Sequence, residues 1–154
     1  MRYLNKIVFI NSAAIRYSEV QLDGNIHLIG TQGVGKSTIL RAILFFYNAD
    51  KLRLGIPKEK RSYDEFYLPY ANSFIVYEVM RENGPYCVMA FKQQGRVAYR
   101  FIDAPYQSSW FVNERREVRA DWISIRKAIG TETQISRIVV SYQEFRDIIF
   151  GSNR

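Results

Sequence analysis

Residues 30–38, Gly-Thr-Gln-Gly-Val-Gly-Lys-Ser-Thr, bring glycines, a lysine and hydroxyls together at the spacing of a phosphate-binding loop. Glycine permits backbone torsions that a Cβ would forbid, so that successive N–H groups can turn toward a phosphate. Lys36 is expected to reach the β- and γ-phosphates, Ser37 to give Mg²⁺ a hydroxyl ligand and Thr38 to bond the α-phosphate. The predicted ligands of ATP and Mg²⁺ are therefore Gly30, Thr31, Gln32, Gly33, Val34, Gly35, Lys36, Ser37 and Thr38.

Such a loop needs a strand before it and a helix after it, and the sequence predicts both. Apolar residues alternate on either side of Asp23-Gly24, a pattern typical of a β-hairpin whose second strand enters the loop. Residues 37–50 contain no Gly or Pro and are apolar nearly all round, which predicts a buried helix. Its N-terminus would direct unpaired N–H groups at the same anion. The alternative is a chance match in a glycine-containing loop.

The rest of the chain predicts an α/β protein. Residues 73–105 hold three strand-like runs separated by Asn83-Gly84 and by residues 93–95, which indicates an antiparallel meander within a mixed sheet. Because no internal repeat or linker is visible, residues 1–154 are predicted to form a single domain. Further elements are predicted as a strand at 6–10, a helix at 114–129 ending at Gly130, a strand at 137–140 and a helix at 141–151 that opens with a capping box of Ser141 and Glu144.

Composition narrows the class of protein. The single cysteine, Cys87, excludes an internal disulfide and a cysteine-based zinc site. With no signal-peptide pattern at the N-terminus, a reducing cytoplasmic location is expected. The longest apolar runs are far shorter than the ~20 residues of a membrane span, so no membrane partner is expected.

The net charge of +7 is compatible with a nucleic-acid partner or simply with a solvated basic surface. Positive charge is densest in residues 50–61. The candidate DNA contacts there are Lys51, Arg53, Lys58, Lys60 and Arg61.

Residues 22–47, LDGNIHLIGTQGVGKSTILRAILFFY, resemble the start of the head domain of ABC-type ATPases of the SMC/RecF/RecN superfamily, which act on DNA. That start is an apolar strand, the loop G-x-N-G-x-G-K-S-T and an apolar helix. The resemblance covers residues 1–50 and, by layout, the meander. Residues 46–57, FYNADKLRLGIP, are also similar to SMC-like subunits of MukB- and Wadjet-type complexes. The implied fold is therefore a P-loop NTPase of the ABC-ATPase head type.

Several positions depart from this pattern or extend it. Gln32 replaces the usual Asn and Val34 the usual Ser or Ala, which should preserve phosphate binding because backbone groups carry most of it. Family heads use a basic residue after the first strand to approach the nucleotide, and Arg16 is the candidate; otherwise it is an exposed strand residue. The resemblance also implies a glutamine that contacts Mg²⁺ and the attacking water. Gln143 is the candidate, although a gapless match places Tyr142 there, and it could equally be an ordinary first-turn helix residue.

Hydrolysis requires an acidic strand that the sequence does not show. No run of four apolar residues is followed by Asp-Glu, and in the nearest match, YRFID, Arg100 interrupts the apolar run and Ala104 follows Asp103. The Leu-Ser-Gly-Gly signature of the family is also missing. His27 precedes the loop, whereas the switch histidine of the family follows the acidic strand, so His27 is interpreted as a strand residue.

SMC-like heads are split, and a C-terminal lobe carries the acidic strand and the signature. This sequence is therefore interpreted as the N-terminal, ATP-binding lobe, with catalysis by Lys36 and Gln143 only after completion by a C-terminal lobe and dimerisation with a second head. The alternative is a stand-alone nucleotide-binding regulatory module without hydrolysis. A kinase of unusual topology is disfavoured by the hairpin before the loop.

Overall fold

The computed structural model describes residues 3–22, 28–29, 35–48, 63–119, 121–140 and 142–150. Six strands form one sheet in the order β3-β2-β1-β4-β5-β6, and all of the pairings between them are antiparallel. The mixed sheet of an ABC-type head stays a prediction. The strands are β1 (Tyr3–Ser12), β2 (Ile15–Leu22), β3 (Leu28–Ile29), β4 (Phe74–Met80), β5 (Tyr86–Gln93) and β6 (Arg96–Ile102). The helices are α1 (Lys36–Asn48), α2 (Tyr63–Tyr67), α3 (Trp122–Ile129) and α4 (Tyr142–Phe150), with a 3-10 turn at Ser108–Trp110.

Strands β4 to β6 occupy the segment in which the sequence predicts a meander, and each pairs with the next. The connection between β5 and β6 is a two-residue turn, because Gln93 pairs with Arg96. Both turn residues are left-handed, with φ of 51° at Gln94 and 78° at Gly95. Two left-handed residues match the twist of the flanking strands, which makes this a tight and well-formed hairpin.

The hairpin between β1 and β2 has the same turn geometry with less suitable residues. Ser12 pairs with Ile15, and the two turn residues, Ala13 and Ala14, have φ of 53° and 63°. A Cβ in this conformation crowds the following carbonyl oxygen. Ala13 compensates by burying its methyl group and by donating its N–H to the Phe66 carbonyl at 3.1 Å, whereas Ala14 is exposed.

The Ala14→Gly variant is therefore expected to raise the free energy of unfolding by roughly 0.5–1 kcal/mol, since glycine removes the steric cost and no packing is lost. Urea denaturation followed by circular dichroism measures the change. Ala71→Gly is the matched control, because Ala71 is also exposed in a turn but lacks a positive φ. It should leave stability unchanged or lower it, and an equal gain at both positions would show that the Ala14 torsion is not the cause.

Both faces of the sheet are buried, which is why its central strands read as nearly continuous apolar runs. Along β1, Ile7 and Phe9 point to the face covered by α1, whereas Val8 and Ile10 point to the opposite face. The first face packs against α1, α4 and the Tyr67-Leu68 segment. The opposite face packs mainly against Tyr106, Trp110, Phe111, Ile125 and Ile129.

Helix α1 is buried on one side only. Its inward residues are Ile39, Ala42, Phe45 and Phe46, all at most 3% exposed. Its outward residues Leu40, Leu44 and Tyr47 are 41%, 47% and 45% exposed. The sequence predicts a helix buried on most of its surface, and this is wrong for the outward face, because among the described residues the sheet and α4 pack against the inward side.

Helix α3 begins later than predicted, at Trp122 instead of residue 114. Asp121 caps it, because its carboxylate accepts from the N–H of Ser124 at 2.8 Å and from its hydroxyl at 3.0 Å. These hydrogen bonds hold the pKa of Asp121 below its usual value. The preceding segment is a turn in which Asn113 accepts from the N–H groups of Arg115 and Glu117, both at 2.9 Å.

The predicted strand at 137–140 is wrong in detail, since the structure has isolated bridges from Val139 to Tyr99 and from Ile135 to Ile102. Through these bridges and the hydrogen bonds between Ser136 and Phe101, residues 135–139 lie along part of the outer edge of β6.

Candidate nucleotide-binding site

Helix α1 begins at Lys36, the lysine of the predicted phosphate loop. Its first turn is closed by a hydrogen bond from the Ile39 N–H to the Gly35 carbonyl at 3.2 Å. The side chains of Lys36 and Ser37 are exposed and that of Thr38 is half-buried. Residues 30–34 lie outside the described residues, so the structure places four of the nine predicted loop positions, at the N-terminus of the helix.

Two buried tyrosines fix α1 to the sheet. Tyr67 donates its hydroxyl to the Thr38 carbonyl at 2.7 Å, and Tyr77 donates to the Ala42 carbonyl at 2.9 Å. Burial raises the pKa of Tyr67 above its usual value. The ring of Phe46 lies 4.8 Å from that of Tyr77. These contacts fix the position of the first turn of α1, which carries Lys36 and Ser37.

Arg16 lies near the end of the sheet where α1 starts. Strand β3 pairs with the end of β2, Leu28 with Leu22 and Ile29 with Gln21. Because this pairing is antiparallel, β3 runs back toward the start of β2. Arg16 is exposed at that start. Arg16 lies five residues before Gln21, about 17 Å along the strand.

Contacts from the helix lead to the same end. The ring of Tyr67, which binds the Thr38 carbonyl, lies 6.5 Å from that of Phe9, and Phe9 pairs with Ser18, two residues from Arg16. The first turn of α1 therefore lies over the half of the sheet that carries Arg16, but among the described residues no hydrogen bond or ion pair joins Arg16 to residues 35–38.

Gln143 is placed differently. It lies in the first turn of α4, exposed, and its side-chain amide donates to Asp147 at 3.0 Å. Helix α4 meets α1 through the rings of Phe145 and Phe46, 5.8 Å apart. Phe46 follows Lys36 by ten residues, about 15 Å along the helix. Among the described residues no contact joins Gln143 to residues 35–38, and its role in catalysis and Mg²⁺ binding stays a prediction.

Other predicted features lie outside the described residues, namely His27, Ser141 and the basic segment at 50–61. Within the described ranges, no group of three His, Cys, Asp or Glu side chains could hold a metal ion. In the same part of the chain, none of the helices has the length and apolar character to cross a membrane.

The sequence prediction missed a cluster around Arg100 on β6. The guanidinium carbon of Arg100 lies 4.0 Å from the ring centroid of Trp122 and 5.2 Å from that of Phe91. Burial lowers the pKa of Arg100. In the sequence Arg100 only interrupts an apolar run. Arg96, Ala98 and Arg100 are every second residue of the strand. This spacing could have indicated that the two arginines lie on the same strand face.

Comparison with known proteins gives one match. The family described as "Protein of unknown function (DUF3584)" matches residues 11–153, nearly the whole chain. The match is loosely compatible with the resemblance of residues 1–50 to heads of the SMC type. No curated protein and no solved structure shows a significant match.

Proposed function

We propose that this chain, which belongs to the DUF3584 family, is the ATP-binding N-terminal lobe of an SMC-like, DNA-associated ATPase. In this proposal ATP and Mg²⁺ bind at residues 30–38. Hydrolysis requires the acidic strand and signature motif of a C-terminal lobe together with dimerisation of two heads.

One observation carries the nucleotide-binding part. Helix α1 begins at Lys36, immediately after the glycine-rich segment that strand β3 enters, and Lys36 and Ser37 are exposed. Strand, loop and helix in this order are the context in which the motif binds phosphate. The unpaired N–H groups of the first turn and the positive end of the helix dipole favour an anion there.

Each described residue has a separate role in this proposal. Lys36 supplies a positive charge to the β- and γ-phosphates, and Ser37 supplies a hydroxyl to the Mg²⁺ that accompanies ATP. Thr38 bonds the α-phosphate through its hydroxyl while Tyr67 holds its carbonyl. Arg16 approaches the nucleotide from the start of β2.

Titration calorimetry of the purified chain with MgATP tests the proposal. Lys36→Ala is expected to weaken binding by about 100-fold, equivalent to about 2.7 kcal/mol. Lys127→Ala is the matched control, because Lys127 is also an exposed helical lysine, in the last turn of α3. Equal affinities for the parent chain and Lys36→Ala would remove the basis of the proposal.

Hydrolysis distinguishes the split head from the regulatory module. The chain alone is expected to turn over ATP negligibly. Mg²⁺-dependent hydrolysis that appears on addition of the C-terminal lobe, and is lost in Lys36→Ala, supports the split head. Binding without such stimulation favours the regulatory module, and robust turnover by the chain alone contradicts both.

A further inference from the structure

A cavity of about 450 Å³ lies on the sheet face opposite α1, beside the start of β4, the last part of β5 and the middle of β6. Such a volume falls within the range of small-molecule sites. Its lining combines three aromatic side chains with three polar or charged ones. The lining consists of Ala71, Asn72, Phe74, Phe91, Arg100, Asp121 and Trp122.

Arg100 is the unusual member of this lining. Its guanidinium lies over the rings of Trp122 and Phe91 and is partly removed from water, which lowers its pKa. A guanidinium carries five N–H donors, and this one lines the cavity while still partly open to solvent. Within the described part of the chain, the Arg100 side chain makes neither a hydrogen bond nor an ion pair. It is therefore suited to an anionic acceptor that enters the cavity.

A second cation continues from Arg100 toward the tip of the hairpin. Arg96 is exposed and lies on the same strand face, four residues and about 13 Å away. Its partner across the hairpin is Gln93, next to the turn at Gln94 and Gly95. The nearest carboxylate in the lining, Asp121, is occupied by the N–H and hydroxyl of Ser124.

Arginines at the opposite end of the sheet already have partners. Arg81 pairs with Asp103 at 2.7 Å, and Arg126 donates to the Gly130 carbonyl at 2.5 Å. They line a different cavity, near the end of β6. Among the described residues, a guanidinium without a hydrogen-bonded partner, aromatic neighbours and a second arginine on the same strand face thus occur together at the Arg100 cavity.

We propose that this cavity binds a nucleotide unit of a single-stranded nucleic acid. Its phosphate contacts Arg100, its base packs against the part of the half-buried Trp122 side chain that Arg100 leaves open, and a neighbouring phosphate reaches Arg96 toward the tip of the hairpin. Aromatic side chains beside a basic track are the usual means of holding unpaired strands. The inference names a partner surface for the DNA association in the proposed function, but it does not require ATP at residues 30–38.

Fluorescence anisotropy with a labelled oligothymidylate of about 12 nucleotides, a length typical of single-strand sites, tests the proposal. Arg100→Gln and Trp122→Ala are each expected to weaken binding by about tenfold or more. Trp122→Phe should stay closer to the parent because it retains a ring, and circular dichroism shows whether each variant folds. Arg96→Gln should reduce the slope of log affinity against log salt by about 0.7.

Two controls separate this site from others. Arg126→Gln removes a cavity-lining arginine at the other end of the sheet and should leave oligonucleotide affinity unchanged. Lys36→Ala should also leave it unchanged, so that loss of ATP binding and loss of strand binding can be told apart. The proposal is overturned by any of three results: no oligonucleotide binding, parent-like binding by Arg100→Gln, or equal affinity for a duplex. Binding of free thymidine monophosphate or of a glutamate-rich peptide in place of the strand would also overturn it.

Discussion

Phe145→Ala is expected to lower the free energy of unfolding by about 3–5 kcal/mol, the range for removal of a fully packed aromatic ring. Phe145 lies on α4 and is 1% exposed. Its ring stacks on Tyr99 with centroids 4.2 Å apart, meets Phe46 edge-on at 5.8 Å and lies 6.2 Å from Phe101. The ring thus joins α4 to α1 and to β6. The cavity left by its removal cannot collapse fully, because the sheet fixes the surrounding backbone.

Urea denaturation measures this loss, and Ile148→Ala on the same helix provides the control. Ile148 is 44% exposed, so its truncation should cost less than about 1 kcal/mol. Similar losses for the two variants would mean that α4 does not dock through Phe145. Because the contact with α1 lies about 15 Å from Lys36, the folded fraction of Phe145→Ala should bind MgATP like the parent chain.

The features that local sequence predicts well are those set by two to four neighbouring residues. The start of α1 at Lys36 could be predicted because the glycines of residues 30–35 interrupt regular structure and a run of helix-forming residues follows them. The turn at Gln94 and Gly95 follows from Gly95, which adopts a positive φ without steric cost. The apolar run at 6–10 likewise predicts the strand that forms the middle of β1. The chemistry assigned to residues 35–38 depends on this local order.

The sequence did not predict the features that depend on contacts between residues far apart in the chain. Helix α1 is apolar on both sides in sequence, and only the position of the sheet determines that Leu40 and Leu44 face outward. The periodicity at 114–129 matches a helix, but Asn113 supplies a competing turn and Asp121 a competing cap. Similarly, Arg100 gains its significance from Trp122, 22 residues later, which the periodicity alone does not bring to it.

Glu78→Ala is expected to lower the free energy of unfolding by about 3–5 kcal/mol, because two hydrogen bonds to a buried carboxylate are lost and their donors are left unpaired. Glu78 lies on β4 and is 6% exposed. One carboxylate oxygen accepts from the Asn5 amide at 2.7 Å, and the other accepts from the Tyr106 N–H at 2.8 Å. The carboxylate thus ties the segment after β6 to the centre of the sheet.

Glu78→Gln separates the hydrogen bonds from side-chain volume. A glutamine retains an acceptor oxygen but turns an N–H₂ group toward the other donor, so about half of the loss is expected. Trp110 reports the local effect, since its ring meets that of Tyr106 at 5.2 Å and is buried. Its fluorescence should shift to the red in Glu78→Ala before global unfolding. An unchanged emission with parent stability would mean that water satisfies both donors and that Glu78 does not hold Tyr106 against the sheet.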